Sequence, residues 1–465
     1  MGYGSPPARW GKPQGMGYPR MLEVRQRFDA PRVNDVAGTV AAELARIGVR
    51  GRIQPGATVA IGVGSRGITN LALVVRTLVG VLKEVGARPF VVPAMGSHGG
   101  ATVEGQRAIL AGYGITEDGI GAPIRASMET VDLGATDGVP IHFDRTAFEA
   151  DHVAIVNRVK PHTNFAGEIE SGLLKMTTIG LGKHTGAALY HRAIVDHGFD
   201  HVVRSAGQAI LARGRIAFGL ALVENGYDET ALVEAVPAAA FAERDRALLV
   251  LARRWLPRLP VLRPDLLIVD EMGKNVSGSG MDTNVVGRKP HGALDDDPRV
   301  KRLFVRELTP ETRGNAYGIG LADFTTSRLI RAIDYRTTVL NCLTAANPEA
   351  AALPIHYDTD REAIDAALAS AGLAPAERAR VWCASGTRSA WTGCSSRRRA
   401  APSSPRATTS RSSSRRTTSP STARGTCRPS RSRRNHDAVP RRRVAFRELA
   451  WQRCPATSTA SACST

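Results

Sequence analysis

Ala57-Thr-Val-Ala-Ile-Gly-Val-Gly-Ser-Arg-Gly67 is a short apolar strand that runs into a glycine-rich turn. Residues 70–84 follow with apolar side chains at helical spacing, and 87–93 form a second apolar strand. Strand, helix and strand on this scale make a βαβ unit, which implies parallel neighbours and a right-handed crossover. The fold class read from this stretch is α/β.

Outward from it the pattern continues. Residues 101–112 read as a helix, and 131–143 as a hairpin folded about Asp137-Gly138. Residues 152–156 are a buried strand. Residues 202–213 read as a helix, 216–223 as a strand and 237–256 as a long amphipathic helix. Arg263-Pro264 marks a boundary. Beyond it Leu266-Leu-Ile-Val-Asp270 is a buried strand that feeds the glycine-rich loop Glu271-Met-Gly-Lys-Asn-Val-Ser-Gly-Ser-Gly-Met-Asp282. Residues 319–324, 335–343 and 361–371 supply further elements. The expectation is two α/β domains, 21–262 and 263–382, with a ligand cleft between them and parallel βαβ units in the first. In open α/β sheets ligands sit beyond the carboxyl ends of the strands, where these turns lie.

The two ends read differently. Residues 1–20 are Gly/Pro/Tyr-rich without periodicity, and Met21 opens an alternating strand over 22–28, so the leader is expected to be a disordered arm or not native. From Cys383 onward there are 18 Arg, no Lys, and only Asp437 and Glu448 as acids. GC-rich codons for Cys383 to Cys394, read from one base earlier, give Val-Arg-Ile-Arg-Asp-Thr-Leu-Gly-Leu-Asp-Arg-Leu, an alternating strand. Residues 383–465 are therefore expected to be a disordered tail made by a frameshift, which resequencing an independent clone checks.

That tail carries most of the net charge of +19. The remaining 382 residues hold 44 basic and 41 acidic side chains and give no reason to invoke nucleic acid. Cys342 is the single cysteine before the tail, which fits a reducing, cytoplasmic location. Residues 247–262 are broken by Arg253, Arg254 and Arg258, so no membrane span is expected.

Chemistry concentrates between residues 157 and 191. Asn157-Arg-Val-Lys-Pro-His-Thr-Asn-Phe-Ala-Gly167 leads to Lys175, then Ile179-Gly-Leu-Gly-Lys-His-Thr-Gly186 and Tyr190-His191. Imidazoles move protons and bind divalent metals, and a lysine amine can be joined covalently to a cofactor or substrate. Gly62-x-Gly64-x-x-Gly67 matches a dinucleotide fingerprint, but the next strand ends without the acid that would hold a ribose. That turn either packs strand against helix or turns backbone and Arg66 toward an anion. Gly180-x-Gly182-Lys183 lacks the spacing of an ATP loop, and His184 stands where Ser or Thr would hold magnesium. His98 lies in a Gly-Ser-His-Gly-Gly turn. Glu271 and Lys274 either bracket a substrate or form a surface ion pair.

Taken together, the Arg66 turn, Gly-Ser-His98, Pro-His162 with Ala-Gly, Lys175 and His191 resemble the nickel-pincer lactate racemase family over about residues 21–380. The likeness is greatest to its uncharacterised relatives, through Gly-Ser-His-Gly-Gly-Ala-Thr, Lys-Met-x-x-Ile-Gly-Leu-Gly-Lys and Asp-Glu-x-Gly-Lys-Asn. The resemblance implies a racemase or epimerase of a 2-hydroxy acid, working by transient hydride transfer to a nickel-pincer nucleotide. It implies that Lys175 tethers this cofactor and His191 ligates the nickel. His98 and His162 flank the substrate as acid and base. Arg66 and Lys274 hold anionic groups, and Gly64, Gly180 and Gly182 approach the cofactor. Cofactor-making enzymes are then the expected partners.

The sequence departs from the family where the racemase Asp-x-Thr-Arg turn reads Val63-Gly-Ser-Arg66. It departs again in a longer loop carrying Glu168 and Glu170, which favours a substrate larger than lactate. A non-catalytic cofactor- or anion-binding protein is the alternative, and an NAD-dependent dehydrogenase comes third.

Overall fold

The computed structural model describes residues 18–19, 21, 23–24, 26–289, 298–372, 379–385 and 392–395. The chain forms two compact units, Met1–Ala400 and Ala401–Thr465, and every described residue belongs to the first. Most of the leader, His291 and nearly all of the tail lie outside the described residues.

Fourteen strands are numbered in chain order: β1 Glu23–Val24, β2 Thr58–Val63, β3 Arg88–Pro93, β4 Thr130–Thr136, β5 Val139–Asp144, β6 His152–Arg158, β7 Ile216–Glu224, β8 Thr230–Pro237, β9 Leu266–Met272, β10 Arg302–Leu308, β11 Phe324–Thr326, β12 Ile355–Tyr357, β13 Val381–Ser385 and β14 Thr392–Ser395. A five-stranded sheet has the order β3-β2-β6-β7-β8, and a seven-stranded sheet the order β1-β14-β13-β9-β10-β11-β12. β4 and β5 form the expected hairpin, with Asp137 and Gly138 both at positive φ, as tight hairpin turns require.

The βαβ reading holds: β2 and β3 pair in parallel, joined by the Leu71–Glu84 helix. β6 lies parallel on the other side of β2. Val59, Ile61, Val63, Ala154 and Val156 pack on one face with Leu71, Val74, Leu78 and Leu82 of that helix. Ala60, Val153 and Ile155 point to the opposite face, where Phe241, Leu248 and Leu249 of the Phe241–Trp255 helix are buried. A sheet covered on both faces needs apolar residues at every strand position, which is why these strands read as continuous apolar runs.

Beyond these parallel pairs, β8 returns antiparallel against β7. Among the described residues of 22–28, Glu23–Val24 form a strand and 26–28 do not. The residue 383 boundary falls inside a strand: β13 runs through Cys383 to Ser385 beside β9, and β14 pairs antiparallel with both β13 and β1.

Register decides what meets what. Val63 pairs with Pro93 across β2/β3 and with Val156 across β2/β6. The carboxyl ends of three adjacent strands are thereby level, and the turns leaving them share one edge. Among the described residues no helix is long and apolar enough to cross a membrane.

Candidate active site

The turn after β2 carries Arg66, the turn after β3 carries His98, and the segment after β6 carries His162. Ser65 Oγ is hydrogen-bonded to His98 Nδ1, tying the first two turns together. Lys274 comes from the other sheet, on the loop after β9. Its Nζ donates to the Gly278 carbonyl at 2.8 Å and lies 3.9 Å from the centre of the Tyr317 ring. A Cβ built on Gly278 would stand 3.2 Å from Arg66 Nη2, so Arg66 reaches this loop.

Lys175 ends a single helical turn, Leu173–Lys175, that continues through a wide π-type turn over Met176–Gly180. Such turns interrupt helices mostly at functional places. The turn starts on a buried carboxylate: Asp245 accepts the amides of Leu173 at 3.0 Å and Leu174 at 2.8 Å. Gly172 before it has φ +106 and ψ −156, and a Cβ there would lie 2.3 Å from Asp245 Oδ1, so only glycine fits. Burial pushes the Asp245 carboxyl up to about 7, against the pull of those two amides.

His191 lies inside the Lys183–His197 helix. Its Nδ1 is 2.7 Å from the Ala187 carbonyl. A carbonyl only accepts, so Nδ1 carries the proton and the Nε2 lone pair is left for a metal.

These six groups sense one another. Loss of water holds His98 well below the usual imidazole range, and the charges of Arg66, Lys175, Lys274 and His191 add to it. His98 keeps solvent-accessible surface while protein crowds its ring. His162 is lowered in the same way by burial, then by Lys175, Lys160, His191 and Arg66. Burial and then Arg66 bring Lys175 down to about 8 and Lys274 down to about 7. Burial also lowers His191, opposed by its bond to Ala187. The charges acting on Lys175, His98 and His162 are all cationic, so their surroundings favour an anion.

One consequence is measurable. Arg66→Gln removes a cation that depresses both amines, so the midpoints for Lys175 and Lys274 rise. Amine labelling followed across pH by peptide mass checks this; unmoved midpoints would show that Arg66 faces elsewhere.

Packing requires the three predicted glycines. A Cβ on Gly64 would meet Met176 Cε at 2.6 Å, on Gly180 Met176 Sδ at 2.3 Å, and on Gly182 the Thr178 carbonyl at 2.6 Å. Lys183 is buried against Asp144, while His184 is exposed. Glu271 belongs to an acidic patch: burial and then Glu307, Asp270 and Glu311 raise its carboxyl. Glu170, from the longer loop, is buried; it accepts the amides of His162 at 2.8 Å and Gly167 at 3.0 Å and pairs with Arg253 at 2.7 Å. Cys342 is buried with its thiol pushed up to about 11, which removes it as a nucleophile. A 320 Å³ pocket lined by Gly67, Thr69, Arg158, Glu224, Asn275 and others adjoins the Arg66 turn. Ser65, Asn164, Asp245 and Gln106 were not singled out in the sequence. Ser65 alone had a signal, its place within the turn.

No family model matches the chain, and no curated protein matches it. Solved structures are similar to the chain, among them the lactate racemase apoprotein from Thermoanaerobacterium thermosaccharolyticum. The identity is 12%, the TM-score 0.44, and the match covers 80% of this chain and 88% of that chain.

Proposed function

We propose that this chain is a racemase or epimerase of a 2-hydroxy acid, holding a nickel-pincer nucleotide on Lys175. What supports the reading is that Arg66, His98, His162, Lys175, His191 and Lys274 lie near enough for the cations among them to depress the neighbouring imidazoles and amines. These six come from six separate turns, loops and helices, and each was picked out from the sequence. We further propose that the site is a cleft between two domains, 21–262 and 263–382.

The donor set fits that cofactor. Among the described residues no group of three or more His, Cys, Asp or Glu is placed to hold a metal ion. A bare nickel ion needs several protein ligands. A metal that arrives with most of its ligands needs one, and His191 offers one oriented lone pair. Lys175, lowered to about 8, has a substantial neutral fraction near neutral pH, as an amine that forms a covalent bond requires. When bound, the group supplies reversible hydride transfer at the substrate carbon.

The chain's own residues do the rest. Arg66 and Lys274 hold the substrate carboxylate. His98 and His162, both kept neutral, exchange the hydroxyl proton. Gly64, Gly180 and Gly182 pack against Met176 and Thr178, one to three residues from Lys175, and are the positions proposed to let backbone approach the nucleotide.

The test is co-expression with the cofactor-making enzymes, followed by intact-protein mass and nickel analysis. A mass increment on the Lys175 peptide together with bound nickel is expected. Absence of both would sink the reading; an increment without turnover of any 2-hydroxy acid would leave a binding protein.

A further inference from the structure

The two histidines flanking the site are not equivalent. Asn164 donates its backbone amide to His162 Nδ1 at 3.0 Å. A backbone N–H has no lone pair, so Nδ1 must accept and the proton of the neutral ring sits on Nε2. The ring cannot easily turn to exchange its nitrogens. It stacks on Phe165 with centroids 5.0 Å apart and leans on Phe199 at 5.4 Å, and its own amide is held by Glu170.

Asn164 is in turn gripped from the half built on the seven-stranded sheet. Its Nδ2 donates to the Tyr317 hydroxyl at 2.7 Å, and its Oδ1 lies 3.0 Å from Ser279 Oγ. The neighbouring Thr163 carbonyl accepts from Thr283 Oγ1 at 2.5 Å. Tyr317 also carries Lys274 over its ring, so the grip and the anion-holding lysine share one support.

His98 has a different partner. Its Nδ1 faces the Ser65 hydroxyl, which can donate or accept with equal ease. Its Nε2 can therefore present either a lone pair or a proton.

We propose that Asn164 is a positioning residue that fixes His162 as the Nε2–H tautomer, so that His162 donates a hydrogen bond to a ligand oxygen while His98 is the ring that takes a proton and returns it. The roles rest on the reading of the site given above; the tautomer assignment does not. In place of two interchangeable bases, one ring moves the proton and the other holds the oxygen. One base then serves both enantiomers, and Ser65 is what lets it change state.

The experiment uses the full chain with nitrogen-15 in its histidines, and long-range proton–nitrogen spectra recorded at several pH values. Single His→Gln variants at 98, 162 and 191 assign the rings. For His162 a pyridine-type Nδ1 and a pyrrole-type Nε2 are expected, with Nε2–H favoured by about tenfold or more, as a hydrogen bond of about 1.4 kcal/mol gives. His191 is expected to show the opposite tautomer, and His98 an average of the two. Asn164→Ala keeps the amide but loses the grip, so the His162 signals move toward averaging while those of His191 stay.

A His162 ring protonated at Nδ1, or averaged in the unsubstituted chain, overturns the proposal. Unmoved His162 signals in Asn164→Ala overturn the positioning role. The spectra need neither nickel nor substrate. If the cofactor is absent but the tautomers are as stated, the functional reading fails and the assignment stands.

Discussion

Lys183→Ala is expected to lower the stability of the chain by about 3–5 kcal/mol, the usual result of removing one partner from a buried ion pair. Lys183 and Asp144 are both 0% exposed, with Nζ 3.0 Å from Oδ2. The ammonium also donates to the Pro93 carbonyl at 2.9 Å and approaches Gln106 Oε1 at 3.4 Å. Burial raises Asp144 and lowers Lys183, each against the attraction of the other. Desolvation therefore outweighs the mutual attraction, and the pair is no net source of stability. Removing one member is nonetheless worse, because the other charge stays buried alone.

The pH dependence follows from the direction of the Asp144 shift. A carboxyl raised in the folded state binds more protons folded than unfolded, so its contribution is present below the unfolded value of about 3.9 and lost as pH rises through the folded one. The deficit of Lys183→Ala is thus smaller at acid pH and grows toward neutrality. Chemical denaturation at two pH values measures it, and adding Asp144→Asn is expected to recover a large part of the loss. A deficit under about 1 kcal/mol at neutral pH would show that the pair is not closed to water. The same substitution is expected to loosen the His98 turn, since Gln106 Nε2 donates to the Gly96 carbonyl at 3.0 Å and the His98 carbonyl at 3.3 Å.

Much of this site was legible because its residues stand at places with a local rule. Arg66, His98 and His162 follow the carboxyl ends of apolar strands, and a strand that ends in Gly, Ser or Pro marks its own turn. Parallel pairing then makes the turns neighbours. What the sequence hid is what depends on distant pairing. Asp245 sits on a helix that looks amphipathic and ordinary, yet meets Leu173 and Leu174 across more than seventy residues. Asn164 reads as a polar loop residue until Tyr317 and Ser279 are brought to it. Lys183 resembles a phosphate-loop lysine, and only the hairpin that brings Asp144 against it makes it a core residue. Glycines at 180, 182 and 186 hide the Lys183–His197 helix that carries His191, because packing uses two of them for close contact with Tyr190.

His191→Ala is expected to separate tether from metal. In protein made with the cofactor-making enzymes, nickel per chain should fall by at least about tenfold, since even residues that only support a ligand cost 10–100-fold in affinity. The mass increment on Lys175 should remain. Lys175 is placed by the Asp245-capped turn, and His191 by its own helix through the Ala187 carbonyl; neither placement uses the other. Lys175→Ala should by contrast lose increment and nickel together, because among the described residues no cluster of three or more candidate ligands is left to hold a metal alone. Nickel unchanged in His191→Ala would mean that another side chain ligates it. Nickel retained in Lys175→Ala would mean a metal held by the protein itself, and the orientation of the His191 ring would then need another reason.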